Sequence, residues 1–349
     1  MILPPPAPVA LQLDSGALRH NWQWLARQSG GAVCGAAVKA DGYGLGAVEV
    51  VRHLKAAGCR DFFVATWAEA VALHPHIGDA GVSVLHGVRP EDMAIATRLQ
   101  AKPVLNTLGQ LALWREGGGG ACDIMIDTGM NRLGLDPSVV AGGALDGLVI
   151  DTLMSHLACA DEEHPLTERQ QEIFAAVASM SRARRKSLAN SAGILLGRDF
   201  HFDLTRPGLA LYGGIPRQEA AGHIRQVARL RAQIVQRRSI PRGASVGYGA
   251  TYVAERPREV AILNLGYADG YFRGFSGTGH FLADDGAIMP VLGRVSMDLT
   301  AVDVSARPKL AEGDWLEAAF DLPAASAASG MSQYELLTSL GSRYDRYWT

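Results

Sequence analysis

Between residues 11 and 215 the chain repeats one device: a short apolar run, a turn, then a stretch with apolar residues at helical spacing. AVCGAAVK (32–39) reads as a buried strand, because it is nearly all apolar and ends in turn residues. AVEVVRHLKAAGC (47–59) reads as a helix with Gly58 as its C-cap. DFFVAT (61–66), VSVLHG (82–87), KPVLN (102–106), ACDIMID (121–127), LVIDTLMSHL (148–157) and FDLTRPGLALYGG (202–214) continue the strands. WAEAVALH (67–74), EDMAIATRLQ (91–100) and the long LTERQQEIFAAVASMSRARRKS (166–187) continue the helices. Strand–helix repeats imply parallel pairing with right-handed crossovers. Seven or eight units within about 200 residues fit a closed (β/α)8 TIM-type barrel better than an open doubly wound sheet. The absence of GxGxxG after the first strand agrees with that reading.

After about residue 225 the pattern changes. HIRQVARLRAQIVQRRSI, SVGYGATYVAE, EVAILNLGYADGY, AIMPVLGRV, LTAVDVS and DWLEAAF are β-rich, with Gly and Pro turns between them. The expected organisation is therefore a barrel over residues 1–225 and a mostly-β domain over 226–349, which ends in one helix, SQYELLTSLG.

Composition narrows the function. The net charge of −2 gives no general attraction to nucleic acid or to an anionic membrane, and neither partner is expected. The basic run SRARRKS (181–187) reads as a solvated helix face. Cys34, Cys59, Cys122 and Cys159 lack CxxC spacing and have small or apolar neighbours, so they read as reduced packing residues. MILPPPAPVALQLD has no cationic n-region, and its prolines interrupt any apolar helix, so it is not read as a signal or a membrane span. A cytoplasmic protein is expected. HPH at 74–76 reads as a loop, and no metal site is expected.

In a parallel barrel the chemistry lies at the C-terminal ends of the strands and in the loops after them. Lys39 is the last residue of the first barrel strand. A lysine with a buried stem at that position could form a Schiff base, because desolvation lowers its pKa and frees the amine. Tyr43, four residues on, could reach an anionic group beside it. Arg132 in DTGMNRLG, His156 in MSHLACADE, Asn190 and Ser191 in SLANSAG, and Arg206 with Gly208 in TRPGLALYG all fall at later strand ends. Singly, His156 could be a core histidine and Arg206 a rim ion pair. Together they form an inventory: a lysine for a covalent link, serine and glycine for a phosphate, and an arginine for a ring nitrogen. That inventory fits pyridoxal phosphate on a barrel.

AVKADGYGLG closely resembles the cofactor-binding signature of the alanine racemases. IDTGMNRLG, SHLACADE, ANSAG, RPGLALYGG, VGYGATY, LGYADGY and GRVSMD resemble successive blocks of that family in the same order. LQLDSGALRHNWQWL and GDWLEAAF fit as well, so the resemblance covers essentially the whole chain. It implies that Lys39 holds pyridoxal phosphate and acts as one base, and that Tyr248 acts as the opposite base. It also implies a homodimer, in which that tyrosine enters the site from the partner subunit. Tyr43, Ser191, Gly208 and Leu209 would bind the phosphate, Arg206 would face the pyridine nitrogen, and His156 would pack near the ring. Arg132 would lie by the phenolic oxygen of the cofactor and the carboxylate of a small amino-acid substrate. Met297 and Asp298, again from the partner, would help form the substrate site, with Tyr267 at its entrance.

The physical logic agrees. Racemisation removes a proton from one face of the α-carbon and returns it on the other, which calls for two bases. An arginine practically never gives up its proton, so it leaves a facing ring nitrogen unprotonated. Three positions depart from the family pattern. Met125 stands where a lysine, often carbamylated, is usual, and Ser187 stands where histidine is common. No C-terminal phosphate ligand can be assigned in LGSRYDRYW, which offers Ser342 and Tyr344. The alternatives are a racemase of serine or of broad specificity, a non-catalytic pyridoxal-phosphate carrier, and a decarboxylase. The β domain with VGYGATY and GRVSMD speaks against a carrier, and Ser296 in place of a cysteine acid speaks against a decarboxylase.

Overall fold

A computed structural model describes residues 5–349, and the first part of the proline-rich N-terminal segment, residues 1–4, lies outside them. The chain divides into two compact units, residues 17–225 and a second unit of the residues up to 16 together with 226–349.

The first unit is the parallel barrel. Ala36–Ala37, Asp61–Val64, Gly81–Val84, Lys102–Leu105, Cys122–Met125, Ile150–Met154 and Arg185–Ser187 form a seven-stranded sheet in chain order. Every neighbouring pair in it is parallel. The eighth strand, Leu204–Thr205, pairs in parallel with Val33–Cys34, the first half of the opening strand. It joins the seventh through Asp203 N–H to the Lys186 carbonyl at 3.0 Å and Arg206 N–H to the Ala189 carbonyl at 2.8 Å. The barrel thus closes on itself and leaves no edge strand open.

The crossover helices follow their sequence signals. Ala47–Ala57 stops at Gly58, whose φ of 113° needs glycine. Trp67–Ile77 begins with a capping box, Thr66 with Glu69. That helix includes His74, Pro75 and His76, so HPH is the last helical turn rather than a loop. Pro75 has no N–H to give to the carbonyl one turn back, so the helix forgoes one hydrogen bond two residues before it ends.

The structure also corrects the reading of residues 181–187. The long helix is Pro165–Met180, and the chain turns extended at Ser181, so Arg185–Ser187 is a barrel strand. Arg185 does not face solvent. It donates to Asp61 at 2.7 Å and to Asp151 at 2.9 Å. Asp61 lies on a strand far from that of Arg185 in the sheet order, so the first bond crosses the barrel interior. Lys102 bonds Asp151 and lies 3.9 Å from the fully buried Asp123, which accepts from Ser83 Oγ at 2.5 Å. The N-terminal end of the barrel is therefore filled by ions from several strands, where bulky aliphatic side chains are usual. Burial alone would raise the Asp151 pKa, but Lys102 and Arg185 hold it well below the ordinary carboxylate range.

The second unit is built on one long strand, Ala228–Ile240. Its first half pairs antiparallel with Val9–Leu13 and with Trp315–Ala318, and its second half with Arg258–Leu263. A register shift between Ile234 and Gln236 interrupts the pairing with Arg258–Leu263. Val9–Leu13 also pairs in parallel with the last strand, Asp345–Trp348, so the chain's two ends share one sheet. Tyr271, Phe275 and Phe281 pack as a buried aromatic cluster, with the first two rings stacked at 4.3 Å. The expected closing helix is Gln333–Thr338. A second helix, Leu322–Ser329, precedes it in the alanine-rich LPAASAAS, which carries too little apolar periodicity to stand out in the sequence.

Replacing Arg185 by methionine leaves Asp61 and Asp151 short of a partner in a largely buried place and should cost about 3 kcal/mol of unfolding free energy near pH 7. Because the folded Asp151 pKa is depressed, its stabilisation is present above the unfolded value of about 4 and is lost as pH falls from there. The stabilities of the wild type and variant should therefore converge on acidification. Urea unfolding at several pH values checks this, and equal midpoints at neutral pH would count against it.

Candidate active site

The site starts with the backbone after Lys39. Ala40, Asp41, Gly42, Tyr43 and Gly44 have φ values of 54°, 53°, 64°, 56° and 82°, an unbroken left-handed run. For L-residues this conformation costs roughly 1–2 kcal/mol each, so something must hold it. Gly42 N–H bonds the Val38 carbonyl at 2.9 Å, Gly44 N–H the Ala40 carbonyl at 2.8 Å, and Gly46 N–H the Asp41 carbonyl at 2.8 Å. Asp41 Oδ1 accepts from Ala47 N–H at 2.8 Å, and Glu69 Oε1 accepts from Ala40 N–H at 2.7 Å. The turn places Lys39 half-buried at the rim and the Tyr43 ring in the interior, stacked on Tyr212 at 4.6 Å. The Tyr212 hydroxyl is fixed in turn by donating to the Ala37 carbonyl at 2.8 Å.

Opposite this turn lies the segment after the eighth strand. A side chain at Gly208 would put its Cβ 2.2 Å from the Tyr43 hydroxyl, so only glycine admits that tyrosine. Ser191 Oγ accepts from Gly208 N–H at 2.8 Å and from Ala210 N–H at 3.3 Å. Leu209 opens the short helical turn Leu209–Tyr212 and is buried. Asn190 holds the neighbouring bend, its Oδ1 accepting from Gly193 N–H at 2.9 Å.

Arg206 is buried and carries its charge there. Its guanidinium donates to Ser187 Oγ and, at 2.5 Å, to the Ser155 carbonyl, and it lies 5.9 Å over the Phe63 ring. Burial lowers its pKa to about 10, still well above neutrality. Ser187 thus occupies a defined place, taking the arginine on one side and giving its proton to the Leu204 carbonyl on the other. His156 is pushed down to about 3 by burial and then by Arg206, Arg132 and Lys39, so its imidazole is neutral. Lys39 is also lowered, first by burial and then by Arg132, with Glu69 opposing. Arg132 is exposed, on a loop that Asp127 Oδ1 shapes by accepting from Gly129 and Asn131 N–H. Met125 is buried below it.

The structure therefore brings Lys39, Tyr43, Arg132, His156, Ser191, Arg206, Gly208 and Leu209 to one end of the barrel. A further residue, marked by no motif, joins the site. Gln170, buried in helix Pro165–Met180, donates to Thr128 Oγ1 at 3.1 Å and to the His156 carbonyl at 3.0 Å, and accepts from Ala158 N–H at 2.8 Å. It ties the loop of Arg132 to that of His156, and no local pattern marks such a residue.

The other expected residues lie in the second unit. Tyr248 opens a tight turn between Gly247 and Gly249, both at positive φ, and is 69% exposed. The Arg294 guanidinium packs against Gly249, where a Cβ would meet it at 3.2 Å. Tyr267 and Met297 are on interlocked turns, with Tyr267 N–H bonding the Ser296 carbonyl and Ala268 N–H the Met297 carbonyl, both at 3.0 Å. Asp298 Oδ1 accepts from Arg343 at 2.6 Å, and Arg343 also clasps the buried Asp269. Tyr267, Met297 and Asp298 are all exposed. The Tyr344 hydroxyl is committed elsewhere, donating to the Asp269 carbonyl at 2.9 Å. Among the described residues, no group of His, Cys, Asp and Glu could hold a metal ion.

Comparison with known proteins agrees with this geometry. The family model for the alanine racemase N-terminal domain matches residues 13–216, and that for the C-terminal domain matches residues 227–348. An alanine racemase of Acidiphilium cryptum is 44% identical over 354 residues, covering 96% of this chain and 97% of that one. A biosynthetic alanine racemase of Agrobacterium fabrum is 40% identical, covering 98% and 94%. Among solved structures, the Bartonella henselae alanine racemase with covalently bound pyridoxal phosphate superposes with a TM-score of 0.91 at 33% identity, covering 99% of this chain and all of that one. The biosynthetic enzyme of Pseudomonas aeruginosa gives 0.90 at 35% identity, covering 98% and 99%. Matched along nearly its whole length in both sequence and fold, this chain belongs to the alanine racemase family.

Proposed function

We propose that the chain interconverts L- and D-alanine with pyridoxal phosphate as cofactor, as a cytoplasmic homodimer that supplies D-alanine for peptidoglycan. One observation carries the reading most directly. A barrel-rim lysine, its pKa lowered by burial and a neighbouring arginine, shares its end of the barrel with the hydroxyls of Tyr43 and Ser191 and the backbone of Gly208. The donor set fits the cofactor. The Tyr43 hydroxyl, the Ser191 hydroxyl and the backbone at Gly208 and Leu209 suit a phosphate, and the missing Cβ of Gly208 lets the Tyr43 hydroxyl come in beside that backbone. Lys39 would hold the cofactor covalently, His156 would lie beside the ring, and Arg206 would meet the ring nitrogen.

When bound, pyridoxal phosphate withdraws electrons from the α-carbon of the attached amino acid and acidifies its C–H bond. Everything else falls to the protein. Lys39 takes or returns the α-proton on one face, and its lowered pKa keeps more of the amine unprotonated near neutrality. Tyr248 does the same on the opposite face. Arg206, protonated and held by Ser187 and the Ser155 carbonyl, would meet the ring nitrogen with a donor that practically never gives up its proton. Arg132 receives the substrate carboxylate. The exposure of Tyr248, Tyr267, Met297 and Asp298 supports a second copy as their counterpart, since polar and aromatic groups grouped on interlocked turns suit a shared site. Three buried free cysteines support a reducing compartment. No described helix is long and apolar enough to cross a membrane.

L-Alanine incubated with the wild type in deuterated water should racemise with exchange of its α-proton. Lys39→Ala should lose covalent cofactor. Tyr248→Phe should keep it while racemising roughly 10²- to 10⁴-fold more slowly. Mixing the two variants under conditions that exchange subunits should restore up to roughly a quarter of wild-type activity, because half of the random dimers carry one intact site. No recovery would place both bases in one chain. Ser191→Ala, which removes one hydroxyl from the phosphate cradle and the acceptor that orders the Gly208 and Ala210 N–H groups, should weaken cofactor binding about tenfold in a fluorescence titration of the apoenzyme.

A further inference from the structure

Lys39 is only as well placed as the five-residue left-handed turn behind it, and the first N–H of that turn points away from the turn itself. It points at Glu69, on the next crossover helix. Glu69 Oε1 accepts from Ala40 N–H at 2.7 Å, while Oε2 accepts from Ala65 N–H at 2.6 Å and Thr66 N–H at 3.1 Å. One carboxylate thus ties the residue after Lys39 to the end of the second strand and the start of its helix. We propose that Glu69 is a positioning residue for Lys39, its carboxylate clamping the left-handed turn to the neighbouring helix cap and so fixing where the amine lies. This rests on the reading of Lys39 as the cofactor lysine.

The chemistry of the clamp is selective. Both oxygens must accept, because each faces backbone N–H groups. Glutamine has only one acceptor and would set its NH2 against N–H on one side. Aspartate is one methylene short and would have to release one of the two segments. An ordinary capping box needs only the Glu69 carboxylate on Thr66 N–H and Thr66 Oγ1 on Glu69 N–H, so the bond to Ala40 is surplus to helix capping. Glu69 also acts on Lys39 through its charge. The charged and titratable groups around the amine are Arg132 across the rim, His156, which stays neutral, Asp41 and Tyr43 on its own turn, and Glu69. Arg132 lowers the lysine pKa and Glu69 raises it, so losing the Glu69 charge should lower it further.

The test uses Glu69→Gln, with Thr66→Ala as control. The control removes the hydroxyl that accepts from Glu69 N–H but leaves all three carboxylate contacts. In apoenzyme, the pH dependence of amine labelling at Lys39, read by mass spectrometry of its peptide, should shift to lower pH in Glu69→Gln and stay in place in Thr66→Ala. In holoenzyme, cofactor loss on dialysis should quicken roughly tenfold in Glu69→Gln, as expected for one lost charge-assisted hydrogen bond. It should be unchanged in Thr66→Ala. Circular dichroism confirms that both variants are folded, and if Glu69→Gln is not, Glu69→Asp, which keeps the charge but is too short to hold both segments, takes its place in the dialysis measurement, where loss no faster than in the control overturns the positioning role. Labelling and dialysis indistinguishable between Glu69→Gln and the control would overturn the positioning role. Wild-type enzyme that carries no cofactor on Lys39 would instead overturn the reading beneath it, and the positioning role with it.

Discussion

The hydrogen bonds that close the barrel set the terms for everything else in the first unit. Val33, Gly35 and Ala37 donate to the carbonyls of Asp203, Thr205 and Pro207, joining the last strand to the first. That seam carries Lys39 and Gly208 to the same end of the barrel, although they are far apart in sequence. The Tyr43 hydroxyl can then come within van der Waals reach of the Gly208 backbone, and Tyr212 can bond Ala37 across the seam. With parallel strands all leaving at one end, each loop can place one polar group without disturbing the core beneath it.

Within that rim the local field is positive. Lys39, Arg132 and Arg206 share it, and their mutual repulsion together with burial keeps His156 neutral and the lysine amine easier to deprotonate. Arg206 tolerates its burial because both of its bonded partners are pure acceptors toward it, a serine hydroxyl and a backbone carbonyl. Ser187 does this without adding another titratable group beside the arginine.

Much of this was legible in the chain. The strand–helix alternation is a local pattern, and strand ends in a barrel are chemical positions by geometry, so Lys39, His156 and Arg206 could be picked out from their places alone. What stayed hidden depends on tertiary context. The basic run at 181–187 has the composition of a solvated helix, yet Arg185 is drawn inside because Asp61 and Asp151 wait there from other strands. The alanines of Leu322–Ser329 form a helix without an amphipathic stripe. Glu69 and Gln170 look like ordinary helix residues, because neither the left-handed turn nor the two loops they hold can be seen in a linear spelling.

The ion layer at the other end of the barrel has a consequence in temperature. The hydration that charged groups lose on burial becomes less favourable on heating, whereas apolar burial levels off. A floor made of Lys102, Arg185, Asp61, Asp123 and Asp151 therefore loses less of its grip at higher temperature than an aliphatic plug of the same size would.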